Sequence, residues 1–240
     1  MIILIRHSER LDRTDPIKWK KSNRFKENMY DTPITLNGIN IAKKAINKLF
    51  NSNFDKIDYI YCSPLTRCIE TALIIKKEIY NKINKDIKLR IEYGLVENNF
   101  NEPIIFDKES DEFIYNSNSN KKYLDSKLEI DNLIMKYIDE IDITYTSIVK
   151  FDQVNFDRNE VNFINRSIDI FKKIKDLHQP NDNILICTHG GVIFGIYSYL
   201  KQIYDTSNNE KVALDYCSML ITNYQQDKLE LINNFDIFQR

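Results

Sequence analysis

Two apolar runs that end in histidine constrain this chain more than any other feature. One is "IILIRH", Ile2 to His7, and the other is "ILICTH", Ile184 to His189. Neither is long enough for a membrane span or a signal-peptide core, and each runs at once into a turn or a helix start, so both read as buried strands. Around them the chain alternates. "TLNGINIAKKAINKLF" sets Ile39, Ala42, Ala45, Ile46 and Leu49 at helical spacing behind Thr35 as N-cap. "KIDYIYCSP" is a second strand, "LTRCIETALIIKKEIYNKI" an amphipathic helix, and "IKLRIEYG" a third strand. Further on, "NEVNFINRSIDIFKKIKDL" and "GGVIFGIYSYLKQI" are helices flanking the second histidine run, and "CSMLITNYQQDKLELINNF" is a terminal hairpin. Strand and helix in alternation imply an α/β fold, a three-layer α/β/α arrangement with a mostly parallel central sheet.

The stretch 11–33, "LDRTDPIKWKKSNRFKENMYDTP", is expected to be an irregular polar loop, with Trp19 as a packing residue. From about residue 98 to 157 no strand–helix unit can be marked out. We expect one domain over 1–240, with 98–157 as an insertion over a sheet edge and "SNSNKK" within it as a mobile loop.

Composition narrows the partners. With 42% hydrophobic and 29% charged residues and a formal net charge of −1, the chain gives no global reason to bind nucleic acid or a membrane surface. Attraction for anions must therefore be local. Four cysteines, Cys62, Cys68, Cys187 and Cys217, form no CxxC pair, and the expectation is a reduced, cytoplasmic protein with buried thiols. Only nine of the 34 basic residues are arginine, yet four of them fall between Arg6 and Arg24, which suggests an oxyanion to be gripped; a solvated arginine face is the bland alternative.

If the histidine strands are parallel, His7 and His189 emerge from one sheet edge, where the strand "YIYCSP" also delivers Ser63 and then Arg67. Two histidines with Arg6 and Arg67 suit phosphoryl transfer: a neutral imidazole attacks phosphorus and guanidinium groups neutralise its oxygens. Gly190 and Gly191 let backbone N–H groups at a helix start approach an anion. The leaving oxygen needs a proton, and Glu92 and Glu97 are the candidate acids, since nearby phosphate favours a protonated carboxyl. A zinc site is the competing chemistry. Only three histidines exist, His178 lies in a helix tail, and no ligand spacing appears, so no metal and no cofactor is expected.

Taken together, "LIRHSERLD", "YCSPLTRCIETA", "EYGLVEN" and "CTHGGVI" resemble the histidine phosphatase superfamily, the phosphoglycerate mutase-like fold. "RHSER" with Leu11, Asp12, Trp19 and "YDTPITLNG" is similar to the RHGER branch, which includes the suppressors of T-cell receptor signalling and the ecdysteroid-phosphate phosphatases. The resemblance implies His7 as the nucleophile that forms a phosphohistidine, His189 as the second phosphate-binding histidine, and Glu97 as the acid. It implies that Arg6, Arg10, Arg67 and Gly190 bind the phosphate. Ser8 stands where the branch usually has Gly, so a Cβ there could crowd the loop beneath the phosphate.

The activity expected is that of a metal-independent phosphomonoesterase acting on a phosphoprotein or a small phosphomonoester. A phosphoglycerate mutase-type phosphotransferase and a non-catalytic phosphate-binding module are the alternatives. Mutases carry a "RHGESxWN" opening that this chain lacks. No nucleic acid or membrane partner is expected. The superfamily often dimerises through a sheet edge, which makes a homodimer the assembly to test.

Overall fold

The computed structural model describes residues 1–29, 31–51, 56–97, 104–107, 112–115, 132, 134–150, 153, 160–204, 214–222 and 229–230. Strand β1 is Ile2–Arg6; three short helices follow, α1 Leu11–Thr14, α2 Pro16–Lys20 and α3 Asn23–Glu27, and then the long α4, Leu36–Asn51. Next come β2 Tyr59–Cys62, α5 Thr66–Ile83 and β3 Leu89–Ile91. A separate antiparallel pair, β4 Ile104–Asp107 and β5 Glu112–Tyr115, precedes α6 Glu160–Asp176, β6 Ile184–Thr188, α7 Gly190–Tyr204, β7 Met219–Thr222 and β8 Leu229–Glu230.

Six strands form one sheet in the order β3-β2-β6-β1-β7-β8. The first four are mutually parallel; at the other side β7 runs antiparallel to β1 and β8 antiparallel to β7. β1 is central because Ile2, Ile3, Leu4 and Ile5 have no exposed surface and must be covered on both faces. Ile3 and Ile5 pack with α4 and α5, whereas Ile2 and Leu4 pack with α6 and α7. The fold is therefore α/β with helices on both sides of a mostly parallel sheet. Among the described residues no helix is long and apolar enough to cross a membrane.

The stretch read as an irregular loop is instead helical in three short pieces. The reason is local capping around a buried aromatic pair. Asp15 accepts the Lys18 N–H with Pro16 in the first turn, and Ser22 accepts the Phe25 N–H. Trp19 and Phe25 are buried edge to face with ring centroids 5.8 Å apart, and the Trp19 indole N–H donates to the Met29 carbonyl.

Of the expected insertion, only 104–107, 112–115, 132, 134–150 and 153 are described, and "SNSNKK" lies outside the described residues. Ile141 bridges Leu89 in parallel at the edge of β3, and the Asp142 N–H donates to the Leu89 carbonyl.

Candidate active site

The parallel register decides which residues meet. Arg6 pairs with Thr188 and Cys62 with Cys187, so the residues just beyond these strands, His7, His189 and Ser63, share one edge. Backbone bonds extend that edge: His7 N–H to Thr188 O, Ser63 N–H to Cys187 O and Glu92 N–H to Cys62 O. The His7 and His189 rings lie 5.3 Å apart between centroids and are inclined at 64°.

His7 is buried, and its Nδ1 lies 2.8 Å from the Ser8 carbonyl. A carbonyl only accepts, so the neutral ring carries its proton on Nδ1 and its lone pair on Nε2. Burial pushes the His7 pKa well below 6.5, and Arg67, Arg6 and Arg10 push it further in the same direction. His189 has no exposed surface, shares a 2.9 Å hydrogen bond between Nε2 and Ser63 Oγ, and is lowered likewise by burial, Arg67 and His7. Both rings are therefore neutral at pH 7 in the free protein.

The arginines surround this pair. Arg67 is fully buried one residue into α5. Arg6 donates through Nη1 to the Leu214 carbonyl and lies under the Tyr216 ring, 4.8 Å from its centroid. Its Nε is buried with no hydrogen-bond partner among the described residues. A buried donor left so costs about 1–3 kcal/mol, which an anion's oxygen would recover. Arg10 grips Asp12 through two bonds, 3.0 and 2.7 Å, that hold its guanidinium plane.

Glu97 reaches the start of α7, where its Oε2 accepts the Gly191 N–H at 3.2 Å. A Cβ built on Gly191 would lie 2.4 Å from Glu97 Oε1, so glycine is needed there for the carboxylate to sit where it does. At Gly190 the same Cβ would be 3.5 Å from Arg6 Nε, an ordinary contact. Of the glycine pair, Gly191 is thus the sterically demanding one.

Glu92 occupies a different setting. It is fully buried and accepts from the N–H groups of Gly94, Ile148 and Val149 and from the Tyr145 hydroxyl, with Ser147 Oγ at 2.9 Å. A carboxylate so enclosed ties residues 145–149 to the end of β3. His178 also stands apart, hydrogen-bonded to the Tyr61 hydroxyl at 2.8 Å.

Ser8 turns toward α4. Its hydroxyl donates to the Gly38 carbonyl at 2.6 Å and its N–H to Thr71 Oγ1 at 2.9 Å. The four cysteines are buried free thiols, each pushed upward by burial; Cys68 Sγ lies 3.4 Å from His189 Nε2. Among the described residues no three His, Cys, Asp or Glu side chains are grouped to hold a metal.

The structure thus brings His7, His189, Arg6 and Arg67 to one sheet edge, with Arg10 in the loop beyond His7 and Glu97 beside Gly191. Tyr216, with its ring 6.0 Å from that of His7, is a neighbour that the sequence patterns did not single out. It follows a stretch with no periodicity to mark it.

A family model described as histidine phosphatase superfamily (branch 1) matches residues 2–141 and 158–236. Among curated relatives, a phosphoglycerate mutase family protein of Acanthamoeba polyphaga mimivirus is 43% identical over 94 residues, 39% of this chain and 42% of that protein. The Mus musculus ubiquitin-associated and SH3 domain-containing protein B is 28% identical over 171 residues, 71% of this chain and 24% of that protein. This chain therefore spans less than half the length of either relative.

Two solved structures share the fold. An ecdysone phosphate phosphatase from Bombix mori superposes with a TM-score of 0.62 at 18% identity, covering 91% of this chain and 87% of that one. Bacillus stearothermophilus YhfR gives 0.52 at 18% identity, covering 97% and 95%. With a family match that runs through both histidine strands and leaves only 142–157 unmatched between its two segments, the chain belongs to branch 1 of the histidine phosphatase superfamily.

Proposed function

We propose that this chain is a metal-independent phosphomonoesterase in which phosphate passes from substrate to His7 and then to water. The observation that supports it most is the state of His7. The ring is neutral, its tautomer is set by the Ser8 carbonyl, and its Nε2 lone pair stands among cationic groups with no hydrogen bond from the described residues.

In this reading Arg6, Arg10 and Arg67 hold the phosphate oxygens, with His189 and the Gly190 N–H as further donors. His7 Nε2 attacks phosphorus as the P–O bond to the leaving group breaks, and Glu97 gives a proton to that oxygen. Water then attacks the phosphohistidine, passing a proton back to Glu97 as the P–N bond breaks. Inorganic phosphate leaves and both residues return to their starting states. Glu92 takes no part, because its oxygens are already committed to neighbouring donors.

The substrate class is a phosphoprotein or a small phosphomonoester. The fold relative from Bombix mori is an ecdysone phosphate phosphatase solved in complex with tungstate, an oxyanion of the kind this reading assigns to the site. We take residues 1–240 as one domain whose 98–157 stretch selects substrate.

Rapid quench with phosphate-labelled substrate, followed by peptide mapping, tests the reading. Acid-labile, base-stable label on His7 that decays at the turnover rate is expected. Label that persists until a phosphoglycerate is added would mark a mutase. Activity that survives in His7→Ala with no label on His7 would overturn the mechanism.

A further inference from the structure

We propose that Asp31 is a positioning residue for Arg67: it anchors the start of helix α5 and so sets where the phosphate-clamping guanidinium stands. This rests on the reading of Arg67 as a phosphate clamp. Asp31 belongs to "YDTPITLNG", a stretch for which the mechanism above has no use.

Leu65 precedes α5 and caps it with no side-chain hydrogen bond of its own. The cap comes from 35 residues earlier in the chain. Asp31 Oδ1 accepts the Thr66 N–H at 2.7 Å, and Oδ2 accepts the Thr66 hydroxyl at 2.5 Å. Both residues are 3% exposed or less, so these bonds are not shared with bulk water.

Arg67 is the next residue. Its backbone is then fixed a turn further along, where the Thr71 hydroxyl donates to the Arg67 carbonyl and accepts the Ser8 N–H. Helix α5 is therefore pinned at two points, Thr71 to the loop that carries His7 and Thr66 to Asp31. Two pins fix both the axial position and the rotation of the first turn. That turn carries Arg67.

A bare carboxylate here would carry a cost. It would place negative charge at the helix end that a phosphate must approach, offsetting the helix dipole and Arg67 together. Arg24 removes that conflict. Its Nη2 donates to Asp31 Oδ2 at 2.5 Å and to Thr66 Oγ1 at 2.7 Å, so the anchor is a neutral pair. Helix α3, which supplies Arg24, is in turn seated by buried Phe25 against Trp19. The segment 11–34 is thus mechanically joined to the phosphate clamp.

The test is the dissociation constant for inorganic phosphate, measured by calorimetry on wild type, Asp31→Ala, Thr66→Val, Arg67→Ala and the double variant Asp31→Ala/Arg67→Ala, with melting curves for each. Asp31→Ala should weaken phosphate binding by about tenfold or more, and Thr66→Val by less in the same direction. On the Arg67→Ala background, Asp31→Ala should change the constant by less than about twofold, because the group it positions is gone. Additive losses, or unchanged phosphate affinity in a folded Asp31→Ala or Thr66→Val, would overturn the proposal, as would a wild type that binds no phosphate. Phosphate binding needs no turnover. A wild type that binds phosphate and hydrolyses no phosphomonoester would instead overturn the phosphatase reading alone.

Discussion

Gly191→Ala should separate proton donation from every other part of the reaction. The added Cβ would lie 2.4 Å from Glu97 Oε1 and 3.2 Å from the Phe163 ring. Carbon and oxygen do not approach so closely, so the carboxylate must retreat by at least about 0.6 Å while Phe163 gives by a few tenths. Both are side-chain tips, and Phe163 belongs to a helix with its own core contacts, so the fold survives and the acid moves. Misplacement near 1 Å costs on the order of 100-fold where a group must transfer a proton, and loss of general acid catalysis costs about 10²–10⁴-fold.

The expected result is a roughly 10- to 100-fold fall in kcat/KM for alkyl phosphates, reaching at most the bottom of the general-acid range because the acid is displaced and not removed, and a change within a few-fold for p-nitrophenyl phosphate, whose leaving group needs little help. Glu97→Gln should show the same split, with a larger loss. Steady-state kinetics on the two substrates, with melting temperatures as the folding control, suffice. Equal losses on both substrates in a well-folded Gly191→Ala would refute the assignment of the acid to Glu97.

Four further outcomes are expected. Because burial lowers the pKa of His7 and His189 from 6.5, the unfolded chain binds more protons just below that value; stability should be complete above about pH 6.5 and lost as pH falls, with phosphate reducing the loss. In the same window kcat/KM should persist, since attack needs an unprotonated His7, and a collapse at pH 6.5 would contradict the burial argument. Glu92→Gln should lower unfolding free energy in urea by about 2–3 kcal/mol, because an amide N–H would face donors it cannot satisfy, while the ratio of alkyl to aryl turnover stays put. Trp19→Ala should cost about 3–5 kcal/mol and open 11–34 to limited proteolysis; unchanged cleavage there would show that the indole does not hold the segment.

The sheet was legible in the sequence because its central strands carry unbroken apolar runs, and burial on both faces leaves that mark. Ile2 to Ile5 and Ile184 to Cys187 could be read without any partner in view. That His7 and His189 share one sheet edge followed from parallel register. Helices α1 to α3 were hidden by their brevity, since four or five residues cannot show a period of 3.6. Their signals were the caps, Asp15 before Pro16 and Ser22 three residues before Phe25, which composition drowned among lysines and asparagines. Asp31 and Tyr216 were illegible for another reason. Each acts on a residue tens to hundreds of positions away, Thr66 and Arg6, and no local pattern encodes such a pairing.

The position of β1 in the sheet also has a consequence for biosynthesis. Ile2 pairs with Ile184 on one side and with Thr222 on the other, so both partners of this strand are translated long after it. At about 5–20 residues per second the ribosome needs roughly 10–40 s to reach the first of them. Through that interval a strand with four consecutive fully buried aliphatic residues has two open edges, a template for pairing with other nascent chains. By contrast β2, α5 and β3 are contiguous and can assemble early. The strand that ends at His7 is therefore threaded into the middle of the sheet late, and a chain that stalls before residue 184 exposes it while lacking the strand that leads to His189.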